Sequence, residues 1–233
     1  MTRPRLALFT YLVILHAVLL VLVFKTDFLL LAGKTLGFIP PEEFNGELEA
    51  IILKQAEQDL AVPAGQVVLV GDSHIARLDG KLGAGVVNFG IGGDTTRTLS
   101  ARLPTIRSIQ HSRAVVVEVG VNDLKYRAVD QIIMDYAALF GRLPQSAPVL
   151  VLSVPPVDPN GSAARHRPYL RNDRIAALNI GIRRVCAAHP QCRFLDAGPA
   201  LAGQPAWSAD GWHLSDAGNQ VLADLIRGAL PPD

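Results

Sequence analysis

The sequence has little of what a metal protein or a nucleic-acid-binding protein needs. Only two of its 233 residues are cysteines, and the spacing of Cys186 and Cys192 is not that of a metal site. Lysine and arginine number 22 against 21 aspartate and glutamate, so the net charge of +1 gives no basic surplus to attract nucleic acid. We therefore expect no metal, no cofactor and no nucleic-acid partner. The two cysteines either pair in an oxidising compartment or stay as two small buried thiols.

The longest uncharged stretch lies near the amino terminus. Residues 6–24 carry no formal charge, and as a helix they span about 28 Å, close to the roughly 30 Å hydrocarbon core of a bilayer. Arg3 and Arg5 precede the stretch, which predicts a cytoplasmic amino terminus and an extracytoplasmic remainder, in a bacterium the periplasm. We expect an uncleaved membrane anchor over residues 1–27. A cleaved signal peptide and a buried core helix are the alternatives.

Two further segments follow the predicted anchor. Residues 28–65 have the pattern of a juxtamembrane segment followed by an amphipathic helix. Residues 66–233 alternate between apolar strand patterns and helical patterns, which indicates βαβ units. With right-handed crossovers, this predicts a three-layer α/β/α sandwich around a mostly parallel, flavodoxin-like sheet of five strands. The predicted strands are 66–70, 86–89, 114–119, 149–154 and 192–195, and the predicted helices of this part are 95–109, 129–143, 169–188 and 216–229.

A serine follows the first predicted strand. The apolar residues 67–70 suit a strand that is buried on both faces, and Gly71 permits a sharp turn before Asp72 and Ser73. Ser73 then lies at the carboxyl edge of the sheet, where open α/β proteins bind ligands, and at a helix start that offers free backbone N–H groups. Taken alone, this tripeptide fits an ordinary helix N-cap as well as a nucleophile.

Three other clusters fall at the same predicted edge of the sheet. A glycine-rich turn over residues 88–96 includes Gly93, which precedes a predicted helix start and has a free N–H. The turn 120–123 supplies the neutral amide of Asn122. Asp210 stands three residues before His213 and can hold the imidazole Nδ1–H, so that Nε2 is free to act as a base. Each cluster alone is an ordinary turn, but together they supply the parts of an acyl-transfer site.

The four clusters resemble the conserved blocks of the SGNH hydrolases, also called the GDSL esterase/lipase family, over residues 66–230. The glycine cluster is similar to that of the platelet-activating-factor acetylhydrolase-like branch. The resemblance implies that Ser73 is the nucleophile, His213 the general base and Asp210 its orienting acid. It also implies an oxyanion hole made of the backbone N–H groups of Ser73 and Gly93 and the side chain of Asn122.

The implied activity is hydrolysis of a carboxylic ester through an acyl-enzyme, with a short-chain, lysophospholipid or O-acetylated glycan substrate. An acyltransferase with the same residues is the alternative, as is a catalytically silent, membrane-tethered binding domain. A metal-dependent hydrolase built from Asp72, His74, Asp123 and His213 is a further alternative. His74 departs from the family, which commonly has leucine there; it either faces solvent or packs, or it contacts substrate. The predicted substrate contacts are His74, Asp94 and Trp212.

Two features near the predicted site have open interpretations. Seven arginines between residues 165 and 193 face either solvent or an anionic substrate. The loop 155–168 leaves the fourth predicted strand and is either a wall of the site or a plain surface connection. The sequence gives no prediction of oligomeric state.

Overall fold

The computed structural model describes residues 46–231 and, ahead of them, residues 11–13 and 15–16. None of the helices in these ranges is both long enough and apolar enough to span a membrane. Apart from the five residues just named, the predicted anchor lies outside the described part of the chain, as does the segment 28–45. The chain separates into two compact units, Met1–Glu42 and Glu43–Asp233, and the second holds the elements described below.

Five parallel strands form one sheet in the order β2-β1-β3-β4-β5. They lie within one or two residues of the predicted strands, because continuous apolar runs bounded by turn residues are a strong local signal. The predicted fold class is confirmed for this part of the chain. The strands are β1 (Val67–Gly71), β2 (Val86–Gly90), β3 (Ala114–Glu118), β4 (Val149–Leu152) and β5 (Cys192–Leu195).

Helices cover both faces of the sheet. On one face, Val68, Val70 and Val117 pack with residues of α3, α4 and α6; on the other, Leu69 and Val116 pack with residues of α7 and α8. The alternation of strand side chains between the two faces thus builds two cores, which gives the three layers. The helices are α1 (Gly46–Asp59), α2 (Ser73–Ala76), α3 (Thr96–Arg102), α4 (Val129–Phe140), α5 (Ser162–His166), α6 (Asn172–Ala187), α7 (Ala197–Leu201) and α8 (Asp216–Arg227), with 3₁₀ turns at Leu103–Thr105, Arg107–His111 and Asn122–Lys125.

The predicted helix 95–109 is wrong in its second half. Helix α3 ends at Arg102, and two 3₁₀ turns replace the rest. Pro104 explains the break, because it has no N–H to bond to the preceding turn and its ring collides with the carbonyl four residues earlier. At the other end the helix begins as the sequence indicates, since Thr95 and Thr98 form a capping box.

Helix α1 packs on the sheet domain. The carboxylate of Asp59 at its end accepts the backbone N–H of Arg107 at 2.6 Å and of Ser108 at 3.2 Å. Gln55 accepts a hydrogen bond from the Arg102 guanidinium at 3.3 Å. The described part of segment 28–65 therefore belongs to the same compact unit as the strands.

The cysteines Cys186 and Cys192 form a disulfide between α6 and the first residue of β5. Of the two alternatives that the sequence left open, the structure has the paired one. The bond closes a short loop at the end of the sheet opposite the carboxyl ends of the strands, so it fixes the helix against the edge strand without approaching Ser73.

Candidate active site

The turn that carries Ser73 is set by a glycine that no other residue can replace. Gly71 ends β1 with φ +151°, and a Cβ there would lie 1.8 Å from the carbonyl oxygen of Glu118 in the neighbouring strand. The carboxylate of Asp72 caps α2 by accepting the backbone N–H of His74 at 2.9 Å. Strand, glycine and cap together place Ser73 at the first position of α2, beyond the carboxyl end of β1, which lies between β2 and β3 in the sheet.

Ser73, His213 and Asp210 form one hydrogen-bonded chain. Nε2 of His213 lies 3.2 Å from Oγ of Ser73, and its Nδ1 lies 2.6 Å from Oδ2 of Asp210. The other oxygen of Asp210 accepts the backbone N–H groups of Trp212 and His213 at 2.8 and 2.9 Å and the hydroxyl of Ser208 at 2.7 Å. Because an acceptor faces Nδ1, that nitrogen carries the hydrogen and Nε2 is free to accept the serine proton.

The charge state of Asp210 suits this orientation. Partial burial alone would raise the pKa of Asp210, but hydrogen bonds from His213 and Ser208 hold it below its usual value. The carboxylate therefore stays ionised at any ordinary pH. A fixed negative charge at Nδ1 also stabilises the imidazolium that forms when Nε2 takes up a proton.

Two of the three predicted oxyanion donors line one cavity. Gly93 and Asn122 both lie in its wall, and its volume is about 250 Å³. The amide of Asn122 donates one hydrogen to the backbone carbonyl of Asp94 at 3.0 Å, which fixes the side chain and leaves its second N–H for a ligand. Gly92 lies close to Ser73, since a Cβ on it would be 3.9 Å from the serine Cβ. The arrangement can therefore direct hydrogen-bond donors at a carbonyl oxygen that Ser73 attacks.

The side chain of Asp94 is turned away from this cavity, contrary to its prediction as a substrate contact. Its carboxylate is fully buried and accepts hydrogen bonds from Nε and Nη2 of Arg102 at 2.9 and 2.7 Å, and from the hydroxyl of Thr98. Burial raises the pKa of Asp94 to about 6 in spite of this cation. The glycine turn that contains Asp94 does not indicate that Arg102 is its partner, because Arg102 comes eight residues later in the sequence.

Asp123 is likewise a structural residue. It accepts the backbone N–H of Thr96 at 3.0 Å and pairs with Arg127, so it fastens the glycine turn to the turn that carries Asn122. It faces these partners and not His74. The four residues of the metal-dependent alternative therefore do not form one group; among the described His, Cys, Asp and Glu side chains, the group close enough to share an ion is Asp72, His74 and Glu118.

His74 is buried beneath the site and does not reach the cavity. Its Nε2 lies 3.3 Å from the carbonyl oxygen of Trp212, and its Nδ1 lies 3.3 Å from Asp72 and 3.6 Å from Glu118. Burial alone would lower the pKa of His74, but these two carboxyl groups raise it well above its usual value. Of the two readings of His74, the structure has the packed one.

Glu118 was missed by the sequence analysis, although a signal was present. It is the one ionisable residue in the apolar run of β3 and is fully buried. Neither of its carboxyl oxygens has a hydrogen-bond partner within the described residues. A charged residue inside a strand that is buried on both faces is rare enough to predict a buried partner, and here that partner is His74.

Trp212 is the predicted substrate contact that does line the cavity. Its ring stacks on the imidazole of His213, with centroids 4.9 Å apart and planes inclined by 20°. The guanidinium of Arg167 lies 4.5 Å from the centroid of the same ring. Trp212 therefore contacts both the imidazole of His213 and a cation.

The segment 155–168 forms a wall of the site and contains the short helix α5, which its composition did not predict. The backbone N–H of Asp158 donates to the carbonyl of Gly211 at 2.7 Å, and that of Ala163 donates to the carbonyl of Asp210 at 2.9 Å. Gly161 packs so closely on Gly211 that a Cβ on it would lie 2.5 Å from the Gly211 Cα. The segment thus braces the turn that carries His213.

A hydrogen-bonded serine, imidazole and carboxylate at the carboxyl edge of an α/β sheet is the arrangement of serine hydrolases. A sequence profile of the GDSL-like lipase/acylhydrolase family matches residues 71–221. The chain is 32% identical over 182 residues to platelet-activating factor acetylhydrolase IB subunit alpha1 of Rattus norvegicus, which covers 71% of this chain and 75% of that protein.

Two solved structures share the fold. The lipase/acylhydrolase from Enterococcus faecalis superposes with a TM-score of 0.62 at 25% identity, over 72% of this chain and 98% of that one. The C-terminal catalytic domain of peptidoglycan O-acetyltransferase A from Streptococcus pneumoniae superposes with a TM-score of 0.56 at 18% identity, over 72% of this chain and 93% of that one. The chain belongs to the GDSL-like lipase/acylhydrolase family and is a hydrolase.

Proposed function

We propose that the chain hydrolyses carboxylic esters through an acyl-enzyme on Ser73. The observation that carries the proposal is the contact between Ser73 Oγ and His213 Nε2 at 3.2 Å, with Asp210 on the opposite nitrogen. Nucleophile, base and orienting acid are therefore in contact before any substrate binds.

We assign a residue of the chain to each step of the proposed reaction. Ser73 Oγ attacks the ester carbonyl carbon while His213 takes the serine proton. The negative charge that develops on the carbonyl oxygen is stabilised by the N–H groups of Ser73, Gly93 and Asn122. The C–O bond to the alcohol breaks, and the alcohol leaves with the proton from His213. Water, deprotonated by His213, then attacks the acyl-enzyme and releases the acid and Ser73.

The test uses the full chain in mild detergent with p-nitrophenyl acetate, butyrate and octanoate. We expect release of p-nitrophenol by the parent, and loss of at least about 10³ in turnover for Ser73→Ala with an unchanged melting temperature. The order of the three rates separates a short-chain esterase from a lipase. Equal rates in parent and variant would show that Ser73 is not the nucleophile.

Transfer of the acyl group to a hydroxyl other than water is the second candidate. It is favoured by the shared fold with a protein named as a peptidoglycan O-acetyltransferase, since the same acyl-enzyme serves either acceptor. Addition of a soluble glycan acceptor during turnover distinguishes the two. A hydrolase releases one acid for every p-nitrophenol, whereas a transferase releases less acid than phenol and yields acylated glycan.

We also propose that the site lies outside the cytoplasm. Two observations support it: the uncharged residues 6–24 after Arg3 and Arg5, and the disulfide between Cys186 and Cys192, a bond that is rare in the cytosol. The proposed partners are thus the membrane, through the amino-terminal segment, and an ester on its outer side. Protease added to intact spheroplasts of a bacterial host should digest residues 43–233, and complete protection would contradict the proposed orientation.

A further inference from the structure

The cavity beside Asn122 and Gly93 has a cationic wall. Two of the residues that line it, Lys125 and Arg167, are positively charged and exposed, and none of the described residues that line it is acidic. The rest of the lining consists of backbone, amide and aromatic groups from Gly93, Asn122, Tyr126, Tyr169 and Trp212. A ligand that enters this cavity therefore meets positive charge in the same recess as the proposed oxyanion donors Gly93 and Asn122.

Arg167 is held in its position by the active site itself. Its guanidinium lies 4.5 Å from the centroid of the Trp212 ring, which in turn stacks on His213 at 4.9 Å. Its backbone N–H donates to the carbonyl of Ala163 at 2.9 Å. A cation over an aromatic face keeps its outer N–H groups free for an anion.

Lys125 is the second cation that lines the cavity. It ends the 3₁₀ turn that begins with Asn122, and its ammonium lies 5.0 Å from the ring centroid of Tyr126. Neither Lys125 nor Arg167 forms an ion pair with any described carboxylate. The two cations are thus fixed by aromatic rings and not neutralised by acids.

The basic segment, residues 165–193, contains other arginines that contact acidic side chains or backbone carbonyls. Arg171 pairs with Asp173 at 2.6 Å, and Arg183 pairs with Asp196 at 2.7 Å. Arg174 donates to the backbone carbonyls of Leu124 and Arg127, both at 2.9 Å. The segment as a whole is therefore not an anion-binding face, and Arg167 is the member of it that lines the cavity.

We infer that the cavity lined by Lys125 and Arg167 binds an anionic group, a phosphate or a carboxylate, that the substrate carries close to its scissile ester. The inference rests on the proposed esterase function and narrows it to esters with a negative charge. Two unpaired cations in a recess without acids favour the anion, and the guanidinium offers charge-assisted hydrogen bonds with bidentate geometry.

The test compares pairs of esters in which one member carries an anionic group and the other does not. One pair is p-nitrophenyl butyrate and the mono-p-nitrophenyl ester of succinic acid, which carries a carboxylate on the acyl side. The other pair is 1-acetylglycerol and 1-acetylglycerol 3-phosphate, which carries a phosphate on the alcohol side. In at least one pair, we expect the full chain to prefer the anionic ester in kcat/KM, mainly through a lower KM. The pair that shows the preference identifies the source of the anion.

Variants assign the preference to the two cations. Lys125→Gln and Arg167→Gln should each lower the ratio of anionic to neutral kcat/KM about fivefold, the scale of an ion pair at a protein surface. Arg167→Lys should retain most of the ratio because the charge remains. Arg165→Gln is the matched control, since Arg165 is exposed on the same segment and does not line the cavity, and it should leave both rates unchanged.

A binding measurement separates this inference from the proposed function. The Ser73→Ala chain, which lacks the nucleophile, is titrated with 1-acetylglycerol 3-phosphate, 1-acetylglycerol and succinate monoethyl ester by calorimetry. Tighter binding of an anionic ligand, weakened by Arg167→Gln, supports the cavity even if no ester is hydrolysed. Equal binding of anionic and neutral ligands, or a ratio that neither glutamine variant changes, would overturn the inference.

Discussion

Replacement of Glu118 by glutamine tests the charge state of the buried group below the active site. Glu118 is fully buried at the end of β3, and its carboxyl lies 3.6 Å from Nδ1 of His74. Burial and the negative charge of Asp72 raise the pKa of Glu118 from 4.5 to about 8. At neutral pH the folded chain therefore holds a proton on Glu118 that the unfolded chain has released.

The expected magnitude follows from that extra proton. A folded-state pKa above the unfolded value contributes stability that is complete below the unfolded pKa and is lost as pH rises toward the folded pKa. Between pH 5 and pH 8, Glu118 should lower the free energy of unfolding by about 1.4 kcal/mol for each pH unit. Glutamine has the shape of the protonated carboxyl but no titration. The stability of Glu118→Gln relative to the parent should therefore rise by about 2 kcal/mol from pH 6 to pH 7.5.

Urea unfolding of the full chain at closely spaced pH values provides the measurement, with tryptophan fluorescence as the signal. Glu47→Gln is the control, because Glu47 is exposed on α1 and should give a curve parallel to the parent. The raised pKa of His74 adds a second slope above pH 6.5, and Glu118→Gln weakens this slope as well, because Glu118 is one of the two carboxyl groups that raise the His74 pKa. Parallel curves for parent and Glu118→Gln would refute the reasoning, since Glu118 would then be ionised in the folded chain.

Two further predictions concern the oxyanion hole and the disulfide. Asn122→Ala should lower kcat by about 10² to 10³ with little change in KM. Its melting temperature should stay near that of the parent, since Asn122 is only half-buried. A normal kcat in a folded variant would remove Asn122 from the mechanism. The double variant Cys186→Ser/Cys192→Ser should lose about 2 kcal/mol of stability, the entropic effect of closing a loop with a sequence separation of 6 residues. Its Ser73-dependent activity should persist below its new melting temperature, and an equal melting temperature for parent and variant would show that the bond does not stabilise the fold.

Much of the site was predictable because its signals are local. Gly71 and Ser73 lie close together at the end of one strand, and Asp210 and His213 lie in one turn. Their spacing in the sequence therefore predicts most of the geometry within each of these two clusters. The sequence could not show which of these turns contact each other in the folded chain. That contact depends on the strand order β2-β1-β3-β4-β5, which brings a turn 140 residues away to within 3.2 Å of Ser73.

Two of the residues that the sequence offered as substrate contacts, Asp94 and His74, are instead buried against partners from elsewhere in the fold. Asp94 lies beside the glycine turn and resembled a substrate contact, but its charge is neutralised by Arg102 inside the domain. His74 appeared as a single departure from the family pattern, whereas the structure shows it paired with Glu118, 44 positions further along the chain. The partners come from α3 and β3, and the residues around Asp94 and His74 do not identify them; the charge inside the apolar strand β3 indicates only that Glu118 has some buried partner.

The contact between Gly161 and Gly211 has a consequence for how substrate preference can change. The two backbones touch and two hydrogen bonds join the segments, so the wall that carries Arg167 packs directly on the turn that carries His213. We expect an insertion or a larger residue at this contact to displace His213 together with the wall, and so to lower turnover whatever its effect on substrate preference. We therefore expect substrate preference to be easier to change through side chains that project from the wall, such as Arg167, than through Gly161 or Gly211.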